Sequence, residues 1–403
     1  MKSIVTEMSK CSKIFSLFVM VVVGCQSVNQ SEISTDKKES WAIRMANTVI
    51  ENHPSLVHYN QKTGKEKLQY DAAMLGMAID KLGSIDEKYS SYLQSYIDFF
   101  VDSSGHVAKY DPAEFNLDRI NFAKNLITLY KRTGEQKYLD AIQLFVKQVE
   151  QQPKTQSGGF WHKEIYPEQM WLDGTYMALP FIAQYAKEFN RPEWFDLAAF
   201  QLILIYRNTL DTASGLLYHA WDESRNQRWC DPETGQSKVF WGRAMGWYIM
   251  ALVDVLDYLP ENHPQHLETI TILNNVSKAL SAVRDKESGV WYQVLDKGGM
   301  AGNYLEGSCT AMFIYAFAKG VHQGYLPDQY LKIAENAFDG MIKQFIIENP
   351  DESLTMTHIC GGCGLGGNPY RDGSYEYYIT EKKIDNDPKG VGAFILASIE
   401  LNR

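Results

Sequence analysis

The sequence predicts an all-α fold: an (α/α)6 barrel, six helical hairpins in two concentric rings. Three observations carry this. Apolar residues recur at helical spacing in about twelve segments with no strand-rich block between them, the segments alternate in character, and a short motif repeats along the chain.

The segments fall near 38–51, 66–83, 87–102, 117–132, 136–151, 173–188, 192–209, 242–258, 263–284, 304–323, 327–347 and 387–402. The fifth shows the odd-numbered type: one stripe of Leu139, Ile142, Val146 and Val149 against Lys137, Asp140, Gln143, Lys147 and Glu150, as a helix with one solvated face requires. The even-numbered type differs. Ala244 to Val253 and Thr310 to Ala318 contain no charged residue, and the segment starting at Asp173 is apolar on two faces, so these helices must be buried nearly all round. Between the two types recur Ser157-Gly-Gly-Phe-Trp-His162, Ser214-Gly-Leu-Leu-Tyr-His219 and Ser288-Gly-Val-Trp-Tyr-Gln293, with Ser104-Gly105 a weaker copy, at spacings of 53, 57 and 74 residues. Each unit is therefore a hairpin whose connection crosses one end of the molecule. An open solenoid is disfavoured because its repeats run ~33 to 47 residues, whereas the 366 residues from Lys38 to Arg403 give six units of about 61.

The 403-residue length allows two domains or one large architecture, and 45% hydrophobic with 22% charged residues excludes a disordered or low-complexity chain. Net charge is −10, and −12 once residues 1–24 are set aside, which argues against a nucleic-acid surface. Aromatic residues reach 13%, the kind of excess that sugar-stacking clefts show.

The N-terminus carries Lys2, Lys10 and Lys13, an apolar run from Ile14 to Val23, then Gly24-Cys25. This is a signal peptide in outline, too short to span a bilayer, and Val22-Val23-Gly24-Cys25 resembles a bacterial lipobox with Cys25 as the acylated residue. The expected organisation is a lipoprotein signal peptide over 1–24, a polar tether over 25–40 and the barrel over 41–403. The protein would be exported and held by its anchor in the periplasm or at the outer membrane. Cys230, Cys309, Cys360 and Cys363 would remain, their pairing left open.

In a two-ring barrel the connections into the inner helices gather at one end, and there stand Asn116-Leu-Asp118, Trp171-Leu-Asp173-Gly174, Trp241-Gly-Arg243, Glu306-Gly307 and Asn386-Asp387. Four carboxylates and an arginine at equivalent positions make a convergent polar site, although an Asp at a helix start is more often a cap than a catalyst. Other motifs fail. Gly362-Cys-Gly364-Leu-Gly-Gly367 follows a plausible strand, Leu354 to Ile359, but lacks the helix a dinucleotide fold needs. Cys360-Gly-Gly-Cys363 has no second pair to close a zinc site, and His263-Pro-Gln-His266 lacks the glutamate of a metalloprotease helix. No metal or cofactor is expected.

The run Met170-Trp-Leu-Asp173-Gly-Thr-Tyr176-Met177-Ala-Leu-Pro180-Phe181 resembles the catalytic segment of glycoside hydrolase family 105, the unsaturated rhamnogalacturonyl hydrolases. Asn116-Leu-Asp118-Arg-Ile-Asn121, Trp161-His162-Lys163, His219-Ala-Trp221-Asp222, Phe240-Trp-Gly-Arg243-Ala-Met-Gly-Trp247, the stretch from Leu365 to Tyr378 and Asn386-Asp387-Pro-Lys-Gly390-Val-Gly392-Ala-Phe394 are similar to that family's signatures in the same order, over about residues 40–403. Met245 departs from it, where familiar members have Asn. The resemblance implies an (α/α)6 barrel that removes a 4,5-unsaturated galacturonyl residue from the non-reducing end of lyase-generated rhamnogalacturonan or pectin fragments by protonating C4 and adding water at C5. It implies Asp173 as proton donor and then base, with Asp118 close by. A neighbouring carboxylate and enclosure by Trp171 and Trp247 would favour the protonated form of Asp173. Arg243, with its planar fork, and more weakly Lys163 would hold the uronate carboxylate, His162 and His219 would bond ring hydroxyls, and Trp171, Trp241 and Trp247 would wall the sugar. Two rivals remain: an unsaturated glucuronyl hydrolase acting on ulvan or glycosaminoglycan fragments, and a non-catalytic sugar-binding outer-membrane lipoprotein.

Overall fold

The computed structural model describes residues 39–59 and 66–403, so Cys25 and almost all of the expected signal peptide and tether lie outside the described residues. Six helices have one apolar face: α1 (Trp41–Asn52), α3 (Glu87–Phe100), α6 (Gln136–Gln151), α8 (Glu193–Thr209), α10 (His266–Ala282) and α12 (Gln329–Phe345). Between them in sequence run α2 (Tyr70–Asp80), α4 and α5 (Leu117–Ile120 and Ala123–Thr133), α7 (Leu172–Glu188), α9 (Gly242–Leu256), α11 (Gly307–His322) and α14 (Pro388–Leu401), with a short α13 (Tyr375–Thr380) before the last. The latter set packs α2 on α4, α4 on α7, α7 on α9, α9 on α11, α11 on α14 and α14 back on α2, which closes the inner ring. The other set packs outside it, giving the (α/α)6 barrel.

Burial explains the alternation read from the sequence. Every residue of α9 and the first fourteen of α11 are buried, whereas α6 buries one stripe around Ala141, Ile142, Phe145 and Val149. Each large aliphatic or aromatic side chain so enclosed contributes ~1.5–3 kcal/mol, and inner and outer helices share one continuous core. The repeated Ser-Gly motif is a tight turn after an outer helix. Asp211 and Asp285 each accept the backbone N–H and the hydroxyl of Ser214 and Ser288, at 2.9 and 2.5 Å and at 2.8 and 2.5 Å. The glycines that follow, Gly215 and Gly289, have φ of +76° and +77°, a conformation a side chain disfavours.

Two features depart from the expected helices. The segment expected at 117–132 is broken into α4 and α5, stepping where Asn121 donates its side-chain amide to the Tyr70 carbonyl at 2.9 Å. Two short antiparallel pairs also form: β1 (Gln169–Trp171) with β2 (Ala220–Asp222), and β3 (Ile346–Glu348) with β4 (Leu354–Met356), the latter on the strand expected near 354. The first pair matters most for the site. Its register, Trp171 opposite Ala220, ties the connection entering α7 to the one entering α9.

Candidate active site

The functional side chains sit at one structural position. Asp71, Asp118, Asp173, Arg243, Ser308 and Lys389 are each the second residue of an inner helix, α2, α4, α7, α9, α11 and α14 in turn. Asp71 and Lys389 pair with each other at 3.5 Å, and Lys389 also meets Asp387 at 2.7 Å. Of the remaining four, Arg243 and Ser308 bond each other at 2.8 Å, and Asp118 and Asp173 keep partial exposure.

The acidic residues divide into caps and free carboxylates. Glu306 caps α11 by accepting the Cys309 N–H at 2.7 Å, and Asp387 caps α14 through the Lys389 N–H at 3.1 Å; both are fully buried. Both are committed within the protein, Asp387 also to Lys389 and Glu306 also to Arg243 and the Cys360 N–H. Asp118 and Asp173 cap nothing: Asn116 is the N-cap of α4, with its side-chain oxygen 3.1 Å from the Asp118 N–H, and Trp171 holds that position in α7 without a side-chain bond. Their carboxylates keep 16% and 15% side-chain exposure, enough to reach a ligand in the mouth.

Each carboxylate has different company. Asp118 lies 2.6 Å from Lys163 Nζ and 3.5 Å from His162 Nε2. Burial opposes its ionisation, but Lys163 and His162 outweigh this and hold its pKa below the usual carboxylate value. Burial likewise works against the Lys163 charge, and Asp118 more than offsets it. His162 goes the other way: burial pushes it down to about 4, so it is neutral near pH 7 beside Asp118. Among the described residues no lysine pairs with Asp173. Its Oδ2 lies 3.0 Å from His219 Nε2, and His219 Nδ1 lies 2.7 Å from the Tyr378 hydroxyl. Gly174 permits this crowding, since a Cβ there would meet Leu117 at 2.9 Å and His162 Nδ1 at 3.0 Å.

Several expected contacts take another form. His219 was expected at a ring hydroxyl, but both of its nitrogens are engaged within the protein, so its place is beside Asp173. Arg243 was expected to offer a fork to a carboxylate. It is 1% exposed, with Nε donating to Ser308 Oγ at 2.8 Å, Nη2 to Glu306 at 3.4 Å and to the Cys360 carbonyl, which leaves Nη1 without a protein partner. Trp171 stacks on His162 and Tyr166, with centroids 4.7 and 4.8 Å away. Trp241 is tied to Gln293 at 3.1 Å, while Trp247 is wholly buried, stacked on Tyr176 and edge-on to Tyr70, and so backs the site instead of facing a sugar. Met245, the departure from the family pattern, is also buried, its sulfur accepting the Leu217 N–H at 3.5 Å.

The sequence reading missed Tyr70 and did not assign Tyr378 a place. Tyr70, first residue of α2, sits edge-on to Trp247 with centroids 6.1 Å apart, and burial, then the charges of Asp71 and Asp118, push its phenol well above the ordinary range. No motif announces it. Tyr378 belongs to the aromatic run Tyr375 to Tyr378, whose density was a usable signal. Cys360 and Cys363 are buried free thiols with sulfurs 3.6 Å apart, on the loop whose carbonyl holds Arg243.

An (α/α)6 barrel with two differently partnered carboxylates in an aromatic mouth is built as a carbohydrate-active hydrolase. Residues 41–403 match the model of Glycosyl Hydrolase Family 88, and the chain belongs to the glycoside hydrolases of families 88 and 105. A family 105 glycoside hydrolase of C. acetobutylicum ATCC 824 is 43% identical, with a TM-score of 0.87 over 90% of this chain and 99% of its own. Protein Atu3128 of Agrobacterium fabrum is 37% identical over 56% of this chain and 97% of its own length. The unsaturated rhamnogalacturonyl hydrolase YesR of Bacillus subtilis is 26% identical over 59% of this chain and 66% of its own.

Proposed function

We propose that the protein removes a 4,5-unsaturated uronic acid, galacturonyl in type, from the non-reducing end of rhamnogalacturonan or pectin fragments left by a polysaccharide lyase. The observation that carries this is the unequal pair of uncapped carboxylates: Asp118 is held ionised by Lys163, whereas Asp173 faces His219. The substrate is a vinyl ether. Asp173 delivers a proton to C4, the resulting cation at C5 is shared with the ring oxygen, and water adds at C5 while returning a proton to Asp173. The C5 hemiketal opens to a ketone, the ring oxygen becomes the hydroxyl of a hemiacetal at C1, and that hemiacetal expels the aglycone. No carboxylate attacks the anomeric carbon, in contrast to the two-carboxylate displacement of most glycosidases.

Charge in the mouth suits an anionic sugar. The inner helices start there, so their N-terminal partial charges favour a carboxylate. The Bacillus subtilis relative, an unsaturated rhamnogalacturonyl hydrolase, supports the galacturonyl reading, and an Alteromonas relative, an unsaturated 3S-rhamnoglycuronyl hydrolase 23% identical over 71% of this chain, supports the glucuronyl one, so the assay decides between them. Family membership and the two uncapped carboxylates weigh against a non-catalytic sugar binder. The test is an assay with lyase-generated oligosaccharides from pectin, ulvan and chondroitin, following loss of the conjugated double bond's absorbance. Turnover of the ulvan or chondroitin products alone would reject the galacturonyl reading, and no turnover of any would reject the chemistry.

For the N-terminus we propose export and acylation at Cys25, supported by the basic, apolar and Gly24-Cys25 sequence. Cys25→Ser should leave the membrane fraction and lose labelled palmitate; unchanged membrane partition rejects the anchor.

A further inference from the structure

The hydrogen-bond chain behind Asp173 ends on a residue with no assigned role. His219 and Tyr378 are both wholly buried, so water does not compete for the two imidazole nitrogens. A neutral imidazole has one N–H and one lone pair, and the partner at Nδ1 decides which of them Nε2 presents to Asp173. That partner is the Tyr378 hydroxyl at 2.7 Å, and His219 Nδ1 is its hydrogen-bond partner among the described residues. If Nδ1 carried the proton, the phenolic O–H would be a buried donor with nothing to meet, which costs ~1–3 kcal/mol. Donation from Tyr378 to Nδ1 satisfies every group: it leaves the proton on Nε2, where it is given to Asp173 Oδ2. No hydrogen bond among the described residues engages Asp173 Oδ1, so that oxygen stays available toward the substrate.

We propose that Tyr378 is a positioning residue for the reaction: its O–H fixes the Nε2–H tautomer of His219, which anchors Asp173 Oδ2 and reserves Oδ1 to carry the proton to and from the substrate. This rests on the reading of Asp173 as proton donor. Burial also pushes the Tyr378 phenol well above its ordinary pKa, so the hydroxyl keeps its proton across the working range. The arrangement addresses a need of the proposed chemistry. One carboxyl must give a proton to carbon and retrieve one from water in the same turnover, and a carboxyl free to rotate would present its proton to the substrate only part of the time.

The groups surrounding the pair come from its own helix and from other elements. Asp118, His162 and Lys163 lie across the mouth, with Tyr70 and Arg243 at the starts of α2 and α9. Tyr377 adjoins Tyr378 with ring centroids 5.2 Å apart, and the Gln293 amide links the Tyr378 carbonyl, at 3.1 Å, to the Cys360 and Cys363 sulfurs, at 3.2 and 3.7 Å. All of them persist in Tyr378→Phe, which removes one oxygen and keeps the ring, so a changed pH profile reports that hydroxyl.

Two measurements on the full-length enzyme test this. Long-range proton–nitrogen correlation with nitrogen-15 histidine reads the tautomer without substrate. In the wild type, His219 Nδ1 should be unprotonated and Nε2 protonated at pH 7; a proton on Nδ1 overturns the proposal even if the Phe variant does not fold. In kinetics on an unsaturated disaccharide, Tyr378→Phe should lower kcat about tenfold, a fraction of general acid catalysis, and leave KM within about twofold. The alkaline limb of its kcat/KM profile should move to higher pH, because a weakened Nε2–H bond stabilises the Asp173 carboxylate less. A variant with wild-type kcat and profile overturns the proposal while the hydrolytic reading stands. A wild-type enzyme inactive on every unsaturated substrate overturns that reading instead, and the tautomer measurement remains decisive for Tyr378.

Discussion

Asp173 Oδ2 and His219 Nε2 lie 3.0 Å apart because two hairpin connections are sewn together just outside the barrel. Trp171 pairs with Ala220, and the Leu172 N–H donates to the His219 carbonyl at 3.0 Å, so the residues flanking this short ladder face one another. The same ladder makes Trp171 the N-cap of α7 and spares the carboxylate one position beyond the chain's entry into the helix.

Asp173→Asn is expected to abolish turnover with little effect on folding. Asn has no proton to deliver, and general acid catalysis is worth ~10² to 10⁴ in rate, so kcat should fall by at least about 10². Since Asp173 makes no capping bond, Tm should stay near that of the wild type. A well-folded variant retaining more than a tenth of the rate removes Asp173 from the mechanism.

Arg243→Lys should lose both stability and substrate. The guanidinium holds Ser308, Glu306 and the Cys360 carbonyl in a fully buried setting, and an ammonium cannot reach all three. With the charge retained, the cost should be ~2 kcal/mol or more by urea unfolding, less than the ~3–5 of removing one partner of a buried pair outright. KM for the unsaturated uronide should rise in parallel. Unchanged stability and KM together would show that the loop beyond Cys360 holds itself.

Lys163→Met should shift the acid limb of the pH–rate profile. Lys163 outweighs the burial that opposes Asp118's ionisation. Without it Asp118 takes up its proton at higher pH, and activity should begin to fall at a less acidic pH than in the wild type. A limb that does not move would mean that Asp118 is not required as a carboxylate.

His162 makes the fold acid-sensitive. Its pKa of about 4 in the folded chain lies below an unfolded value of ~6.5, so the unfolded state binds the proton first as pH falls. The stability present above pH ~6.5 should therefore drain away toward pH 4, by ~3 kcal/mol in all. Calorimetric Tm values for His162→Gln should show a shallower acid slope over that window.

Lys124→Met should stabilise the protein. Lys124 is 6% exposed, its Nζ has no hydrogen-bond partner and sits 3.9 Å from the Tyr176 ring centroid, and burial pushes its pKa down to about 7. The penalty is complete below pH 7 and disappears as pH rises toward the unfolded value near 10.4, so wild-type stability should climb across that interval. Met removes the penalty and should flatten the climb, with a gain of ~2–4 kcal/mol at pH 7 in urea unfolding. A loss of stability there would show that the ammonium's contact with Tyr176 outweighs its burial.

Much of the architecture could be read from periodicity, because burial on all sides forbids charge. The bare runs Ala244 to Val253 and Thr310 to Ala318 mark inner helices without reference to any neighbour. The break between α4 and α5 could not be read in this way, since Asn121 leaves the helical pattern to bond a carbonyl on α2, fifty-one residues earlier in the chain. Composition and motif also brought Asp118, Asp173, Arg243, Glu306 and Asp387 to one end of the barrel. By themselves they could not separate carboxylates that cap from carboxylates that are free, because a one-residue difference in where each helix starts decides it.

The sequence alone determined the helical repeat, the end of the barrel where chemistry collects and the residue types gathered there, since these follow from local apolar spacing and from motifs contiguous in the chain. The tertiary structure decided the partnerships. Lys163 meets Asp118 from forty-five residues away, Tyr378 reaches His219 across 159, and Arg243 is held by a carbonyl 117 residues on. Those distances depend on closure of the inner ring and on the register of one three-residue ladder. Until α14 packs against α2 and Trp171 lies opposite Ala220, nothing in the linear order distinguishes a free carboxylate from a cap.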